Sequence, residues 1–502
     1  MLPSPSFNQS IVTSLRFFRR AAMMAREEDF SSSARLYREA SCLPSGKSVW
    51  QWKPLGFCPT VFPDVTTLDR YWQRLHSSLD LAISSSIPLD WRTLPTDGFF
   101  PSFHLPHHNR SCKTVREKFC RIFASAFPSA LPLQPKPYNN KGRWRIGFHA
   151  LHGHEGGFLR GTAGLINGLD KQRFDIFVFV PSVSIEHCKR TIKPEGVTFV
   201  PLGGSFEEVV EQVRRTSCHL IYYRKVGSDA WSYFFPFARC APIQVTSYGT
   251  HGTSGVDAID YFLSSSYVES ENGQNNYSEK LFLLNSMPTY QPRLPRPVTP
   301  VYRSEFNLPN HGAIYFCPHR TSKYHPDFDT IFQKIGQRDP EGHFVLLFGR
   351  DERGRDILLD RFRSHLGDTF VRNRMTLLSV LPHEKYCRLL SLATVLLDSP
   401  VYAGGLTSFD AFSYGIPEVT LSGSLHIQNF ATGIYRRMGL EQFPCATIND
   451  YLNFAVRLGT EPEYRRSVSL EIEAQCNKIF GTPEVIREHE RFFESVCGEL
   501  RE

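Results

Sequence analysis

From Trp144 onward the sequence alternates short apolar runs with helix-length segments, and this pattern constrains the fold more than any other feature of the chain. Apolar runs separated by helix-length stretches are what a parallel sheet with helices on both faces requires. In the first half the spacing predicts strands at Arg145–His149, Phe174–Val180, Val197–Pro201, Leu220–Tyr223, Ile243–Ser247 and Tyr261–Leu263, with a helix at Phe158–Gly168. Another helix follows Ser205, which stands at capping-box spacing from Glu208. A proline-rich stretch with Pro288, Pro292, Pro295, Pro297 and Pro300 reads as an extended linker. The alternation then resumes, with strands expected at Ala313–Cys317, His343–Phe348, Met375–Ser379, Val395–Asp398 and Glu418–Leu421 and helices from Tyr451 to the end. The expected class is therefore α/β: two Rossmann-like, doubly wound halves facing a cleft, preceded by a helical N-terminal region. Ligands of such sheets bind beyond the carboxyl ends of the strands.

The length of 502 residues implies two or three domains. The expected division is an N-terminal region over 1–140, a first lobe over 141–290, a linker over 291–310 and a second lobe with terminal helices over 311–502. Within the first region, Phe17 to Ala40 carries small and aromatic residues at helix-pair spacing, as in one degenerate tetratricopeptide-type hairpin. One copy cannot build a solenoid. The Pro/Ser/Phe/His-rich passages at Pro88–Pro106 and Pro128–Pro137 follow no regular period.

The formal charge of +7 arises from 57 basic and 50 acidic residues and includes no basic arm, so a nucleic-acid partner is not expected. Twelve scattered cysteines form no C-x-x-C pair and have no His-rich neighbour, which argues against zinc and for free thiols in the cytoplasm. No run reaches the roughly 18 apolar residues of a membrane span, and the N-terminal apolar stretch is broken by Arg16, Arg19 and Arg20.

Two segments carry chemistry. In Val395–Leu421 a buried strand ends at Asp398, a loop with Gly404 and Gly405 follows, and a helix begins near Thr407 and Ser408. Glycines admit the backbone close to a phosphate, and the helix N-terminus favours an anion. Alone, such an element also reads as an ordinary strand-to-helix turn. The first half repeats the device: after its opening strand come His152, Gly153, His154, Glu155, Gly156 and Gly157, again at a strand's carboxyl end. Histidines there suit acid–base work or phosphate binding.

The run Ala241-Pro242-Ile243-Gln244, then Gly249-Thr250-His251-Gly252-Thr253-Ser254-Gly255, then Asp260-Tyr261 resembles the signature of the O-linked N-acetylglucosamine transferase and SPINDLY family. Tyr277–Leu281, Gly404–Asp410 and Tyr435–Gly439 are similar to it as well, and the likeness extends over about 143–480. The resemblance implies a GT-B fold and an inverting, metal-independent transfer from a nucleotide-sugar, most simply UDP-linked N-acetylglucosamine, to a protein hydroxyl, with no cofactor. By the same resemblance His154 and His219 are catalytic candidates and Lys323 meets the diphosphate, where an ammonium would stabilise the departing charge. Thr407, Ser408, Gly404 and Gly405 correspond to the phosphate-binding turn, Asp410 to a ribose-binding carboxylate, and His383 and Tyr386 to the base-binding segment, with Arg320 beside the lysine in place of a glutamine.

Gly405 and Leu406 stand where animal-type members carry His and Thr, and Asn429 where bacterial members often carry Arg. These departures leave two alternatives open: a catalytically weakened module that binds a nucleotide or partner, and a transferase for another donor or acceptor, such as GDP-fucose, UDP-glucose or asparagine.

Overall fold

A computed structural model describes residues 5–127, 142–150, 153–349 and 351–501. The expected passage Pro128–Pro137 and His152 lie outside the described residues. Seven parallel strands make the first sheet: β1 (Trp144–His149), β2 (Phe174–Pro181), β3 (Val197–Leu202), β4 (Leu220–Tyr223), β5 (Ile243–Ser247), β6 (Tyr261–Ser265) and β7 (Lys280–Leu284). Their order is β3-β2-β1-β4-β5-β6-β7. Five more form the second: β8 (Ile314–Cys317), β9 (His343–Leu347), β10 (Met375–Leu378), β11 (Val395–Leu397) and β12 (Glu418–Val419), in the order β10-β9-β8-β11-β12. Two doubly wound parallel sheets facing one cleft are the GT-B architecture that the resemblance implies.

Burial follows position in the sheet. The central strands β4, β5 and β6 are buried throughout, whereas the edge strands β3 and β7 are partly exposed. Successive side chains of a strand point to opposite faces, so Tyr222 joins Ile146, Phe148 and Phe493 on one side of the sheet while Tyr223 joins Phe119, Phe123 and Phe235 on the other. Strand β7 had no counterpart in the expected pattern, since its run Lys280–Leu284 is short and lies on an edge.

Helices Pro5–Arg26 and Phe30–Cys42 form the hairpin expected near Phe17–Ala40. The break comes at Glu28, whose φ is 55°, and at Asp29, which accepts a capping bond from Ser32 N. The passage the sequence left unread is ordered by buried polar anchors. Asp97 accepts from the Trp50 indole at 2.9 Å, and Trp72 Nε1 donates to His108 Nδ1 at 3.1 Å. This region packs across the face of the first sheet and also reaches the second lobe, where Arg361 Nη1 donates to Phe62 O and Gln428 Nε2 donates to Asn109 Oδ1.

The proline-rich linker is strapped to the second lobe, with Leu294 N donating to Ser413 Oγ and the Tyr414 hydroxyl donating to Pro295 O. One element departs from the expected division. The last long helix, Pro483–Gly498, crosses back to the first sheet, burying Ile486, Phe492, Phe493 and Val496 against it. Its Glu488 accepts from Ser286 Oγ, and Glu490 accepts from Asp170 N. The spacing of apolar residues along this helix announces a buried face without saying which sheet it covers. No helix among the described residues is long and apolar enough to cross a membrane.

Candidate active site

Each sheet has one point where its winding reverses. In the first it lies between β1 and β4, and in the second between β8 and β11. The loops leaving the carboxyl ends of these four strands diverge there and open a crevice. A cavity of about 280 Å3 occupies it, lined from the first lobe by Arg224, Lys225, Tyr248 and His251, and from the second by Arg320, Lys323, Tyr402, Gly405, Leu406, Thr407 and His426. Phe103 and His107, from the N-terminal region, complete the wall.

Lys323 ends a short 3-10 turn after β8, and its ammonium lies 4.1 Å from the centre of the Tyr402 ring. Burial pulls its pKa down to about 8, against the opposing charge of Asp398. Asp398, at the end of β11, accepts from Ser399 N, Gly404 N and Thr420 Oγ1 at 2.9, 2.6 and 2.9 Å. Burial raises its pKa and that of neighbouring Glu418. Three donors favour the ionised form of Asp398 opposite Lys323, while Glu418 accepts from Ser408 alone and has one carboxyl oxygen without a partner. The loop is thus drawn taut beneath the cavity.

This bracing decides which turn residues face inward. Gly405 and Thr407 line the cavity, and nothing lies within 4 Å of where a side chain at Gly405 would begin. Gly404 is needed for close approach, because a Cβ there would collide with Ser408 Oγ and come within 3.0 Å of Glu418 Oε1 and Thr407 Oγ1. The expectation that Ser408 offers its hydroxyl to phosphate is corrected: it is fully buried and donates to Glu418 at 2.9 Å.

Asp410, the carboxylate expected to meet the ribose hydroxyls, is engaged by protein groups. It is 1% exposed, paired with Arg160 from the first lobe, and accepts from the Tyr386 hydroxyl at 3.2 Å. Arg160 also donates to Leu406 O, so the helix Glu155–Gly168 grips the turn of the opposite lobe. Tyr386 therefore uses its hydroxyl on Asp410, and His383 is exposed on the same helix, His383–Ser391; neither lines the cavity. Asn429 braces the neighbouring loop, exchanging two 2.8 Å bonds with the backbone of Gly423.

His154 stands at the start of the helix after β1, in a small cleft with His149, Phe158, Arg224 and Lys225 that adjoins the main cavity. Its Nε2 is 3.9 Å from Asp229 Oδ2. Burial, then the charge of Lys225, lowers its pKa, leaving a neutral imidazole able to accept a proton. The catalytic expectation for His219 is corrected. It precedes β4, at the amino end of the sheet, where Nδ1 accepts from Arg145 N at 3.0 Å and the ring meets Trp144 edge-on at 5.1 Å. That end of a parallel sheet faces away from the crevice, and His219 holds strands together.

Several wall residues escaped the sequence reading. Arg224 and Lys225 directly follow β4, so the rule that strand carboxyl ends carry ligands pointed at them. Tyr402, His426, Phe103 and His107 gave no such signal, since each enters through tertiary packing. His107, for example, meets Tyr402 edge-on at 4.6 Å across the junction of the N-terminal region and the second lobe.

Residues 286–480 match the model of glycosyl transferase family 41. Among curated proteins the chain is similar to a probable UDP-N-acetylglucosamine–peptide N-acetylglucosaminyltransferase SPINDLY from Solanum lycopersicum, 27% identical over 227 residues, which are 44% of this chain and 24% of that protein. It is similar to a probable UDP-N-acetylglucosamine–peptide N-acetylglucosaminyltransferase SEC from Arabidopsis thaliana, 24% identical over 405 residues, covering 74% of this chain and 40% of the other. The chain thus spans well under half the length of either relative. Among solved structures, an O-GlcNAc transferase mutant from Thermobaculum terrenum superposes with a TM-score of 0.69 at 20% identity, over 97% of this chain and 92% of that one, and so shares the fold. The family resemblance seen in the sequence motifs is borne out.

Proposed function

We propose that this chain is an inverting glycosyltransferase of the family 41 kind, moving a sugar from a nucleoside-diphosphate donor to a serine or threonine hydroxyl of a protein. The observation that carries the reading is the cavity at the two winding reversals, where Arg224, Lys225, Arg320 and Lys323 converge and none of the described lining residues is Asp or Glu. Such a wall suits a diphosphate and is a poor host for a divalent cation, which takes carboxylate oxygens; the side chains themselves take the metal's place as charge stabilisers. The relatives' names specify UDP-N-acetylglucosamine as donor and peptide as acceptor, and we adopt both for this chain. A cysteine content without any C-x-x-C pair suits a reducing compartment, the cytoplasm.

In the proposed step the acceptor oxygen attacks the anomeric carbon from the face opposite the phosphate. The bond to the phosphate oxygen breaks with its electron pair, and the nucleoside diphosphate leaves with its new charge beside Lys323 and the N-terminal turn at Gly405 and Thr407. His154 takes the hydroxyl proton, and Asp229 at 3.9 Å steadies the imidazolium that forms. Incubation with UDP-N-acetylglucosamine and a protein acceptor should release UDP, and Lys323→Ala should abolish the release. The reading fails if UDP-N-acetylglucosamine, UDP-glucose and GDP-fucose all leave the melting temperature unmoved and none is turned over.

A second reading has its own support. The engagement of Asp410 by Arg160 and Tyr386 occupies the expected ribose carboxylate, as in a module that binds a nucleotide or partner without transfer. Donor binding with no product, indifferent to His154→Ala, would establish it.

A further inference from the structure

The first-lobe wall of the cavity carries charge that the family motifs do not include and to which the proposed step gives no separate role. Arg224 and Lys225 leave the carboxyl end of β4 and line both the main cavity and the small cleft beside His154. Arg224 is held in place: its guanidinium lies 5.1 Å from the centre of the Tyr248 ring, Nη2 donates to the Tyr248 hydroxyl at 3.4 Å, and Gly161 on the facing helix leaves room for both groups. Its Nε is buried and has no hydrogen-bond partner. Lys225 extends over Phe103, with the ammonium 4.1 Å from the ring centre. Among the described residues, the charged and titratable groups around it are Arg224, Arg320, His154 and His251, with Asp229 as the carboxylate.

Partly buried cations that outnumber the carboxylates beside them are stabilised when an anion joins them. The second lobe presents Arg320 and Lys323 to the same space, and a cavity of about 280 Å3 has room for one such anion between the two walls. We infer that Arg224 and Lys225 form the first-lobe half of a two-sided clamp on a diphosphate, so that one ligand is gripped from both lobes and Lys225 is a donor-binding residue. The inference rests on the cavity being the donor site, as proposed above. Burial brings the amine of Lys225 down to about 7 and that of Lys323 to about 8. An anion between them restores both charges, so complex formation near pH 8 takes up protons.

The test is calorimetric titration of the full chain with inorganic pyrophosphate, at pH 8 in buffers of different ionisation enthalpy, with inorganic sulfate as the single-anion control. Pyrophosphate should bind at least tenfold more tightly than sulfate and with proton uptake. Lys225→Met and Lys225→Gln should each weaken pyrophosphate binding tenfold or more and reduce the uptake, while Lys225→Arg should restore affinity without restoring the uptake. Wild-type pyrophosphate affinity in both neutral variants overturns the clamp, as does equal affinity for pyrophosphate and sulfate. The two readings fail separately. Lys225-dependent pyrophosphate binding in a chain that turns over no donor leaves the clamp standing and removes the transferase; sugar transfer with pyrophosphate binding indifferent to Lys225 does the reverse.

Discussion

At the scale of the residue, groups that never face the site hold it in shape. Gly404 touches no ligand space, yet a methyl group there would meet Ser408, Glu418 and Thr407 at once. Gly404→Ala is expected to cost about 1–3 kcal/mol of stability through overpacking and to weaken nucleoside diphosphate binding; denaturant unfolding and calorimetry would check both. His154 has a pKa below its ordinary 6.5, and Lys225 and Lys323 titrate near 7 and 8. Because kcat/KM reports the free enzyme, its pH profile should rise through the depressed histidine value and fall as the amines lose their protons. His154→Ala should remove the acid limb and leave the basic one. The sequence exposed Lys323, Thr407 and His154 because they sit in local motifs at strand ends. It misassigned Ser408 and His219, because which way a hydroxyl points and which end of a strand faces the crevice depend on neighbours such as Glu418 and Arg145, remote in the chain or in a different strand.

At the scale of the element, the helix Glu155–Gly168 does two things. His154 stands at its N-cap position, and its middle carries Arg160 into the other lobe to meet Asp410. The pair is partly open on the arginine side, which is 33% exposed, so its worth is below that of a fully buried ion pair. Arg160→Met and Asp410→Asn should each lower stability, and in the double variant the losses should fall short of additive by roughly 0.5–3 kcal/mol, the range for contacting residues. Additive losses in a double-mutant cycle would show the contact to be energetically idle. Strands were legible at this scale because an apolar run flanked by glycine or proline has few alternatives. The N-terminal region was not, since Trp50, Asp97, Trp72 and His108 find one another across turns that have no period.

At the scale of the molecule, histidine burial sets the response to acid. His107, His149, His319 and His489 are each under 8% exposed, and burial lowers all four, to about 4 for His149 and His489 and about 3 for His319. Below pH 6.5 the unfolded chain protonates these groups while the folded one does not, so the unfolded state binds more protons and stability falls as pH falls. Each such histidine contributes up to about 1.4 kcal/mol per pH unit between its unfolded and folded values. Thermal unfolding followed from pH 7 to pH 5 should show a steep drop in Tm, and replacing His489 with a neutral isostere such as Gln should make the drop shallower.

The return of Pro483–Gly498 to the first sheet means that the peptide chain passes between the halves twice, once through the prolines after Met287 and once near Gly481. A body joined at two places swings like a door on a pair of pins, about one line, whereas a single tether would allow it to swivel freely. Movement of one half against the other is therefore restrained at both crossings, and a fragment ending before Pro483 would leave the greasy back of the larger half bare to water.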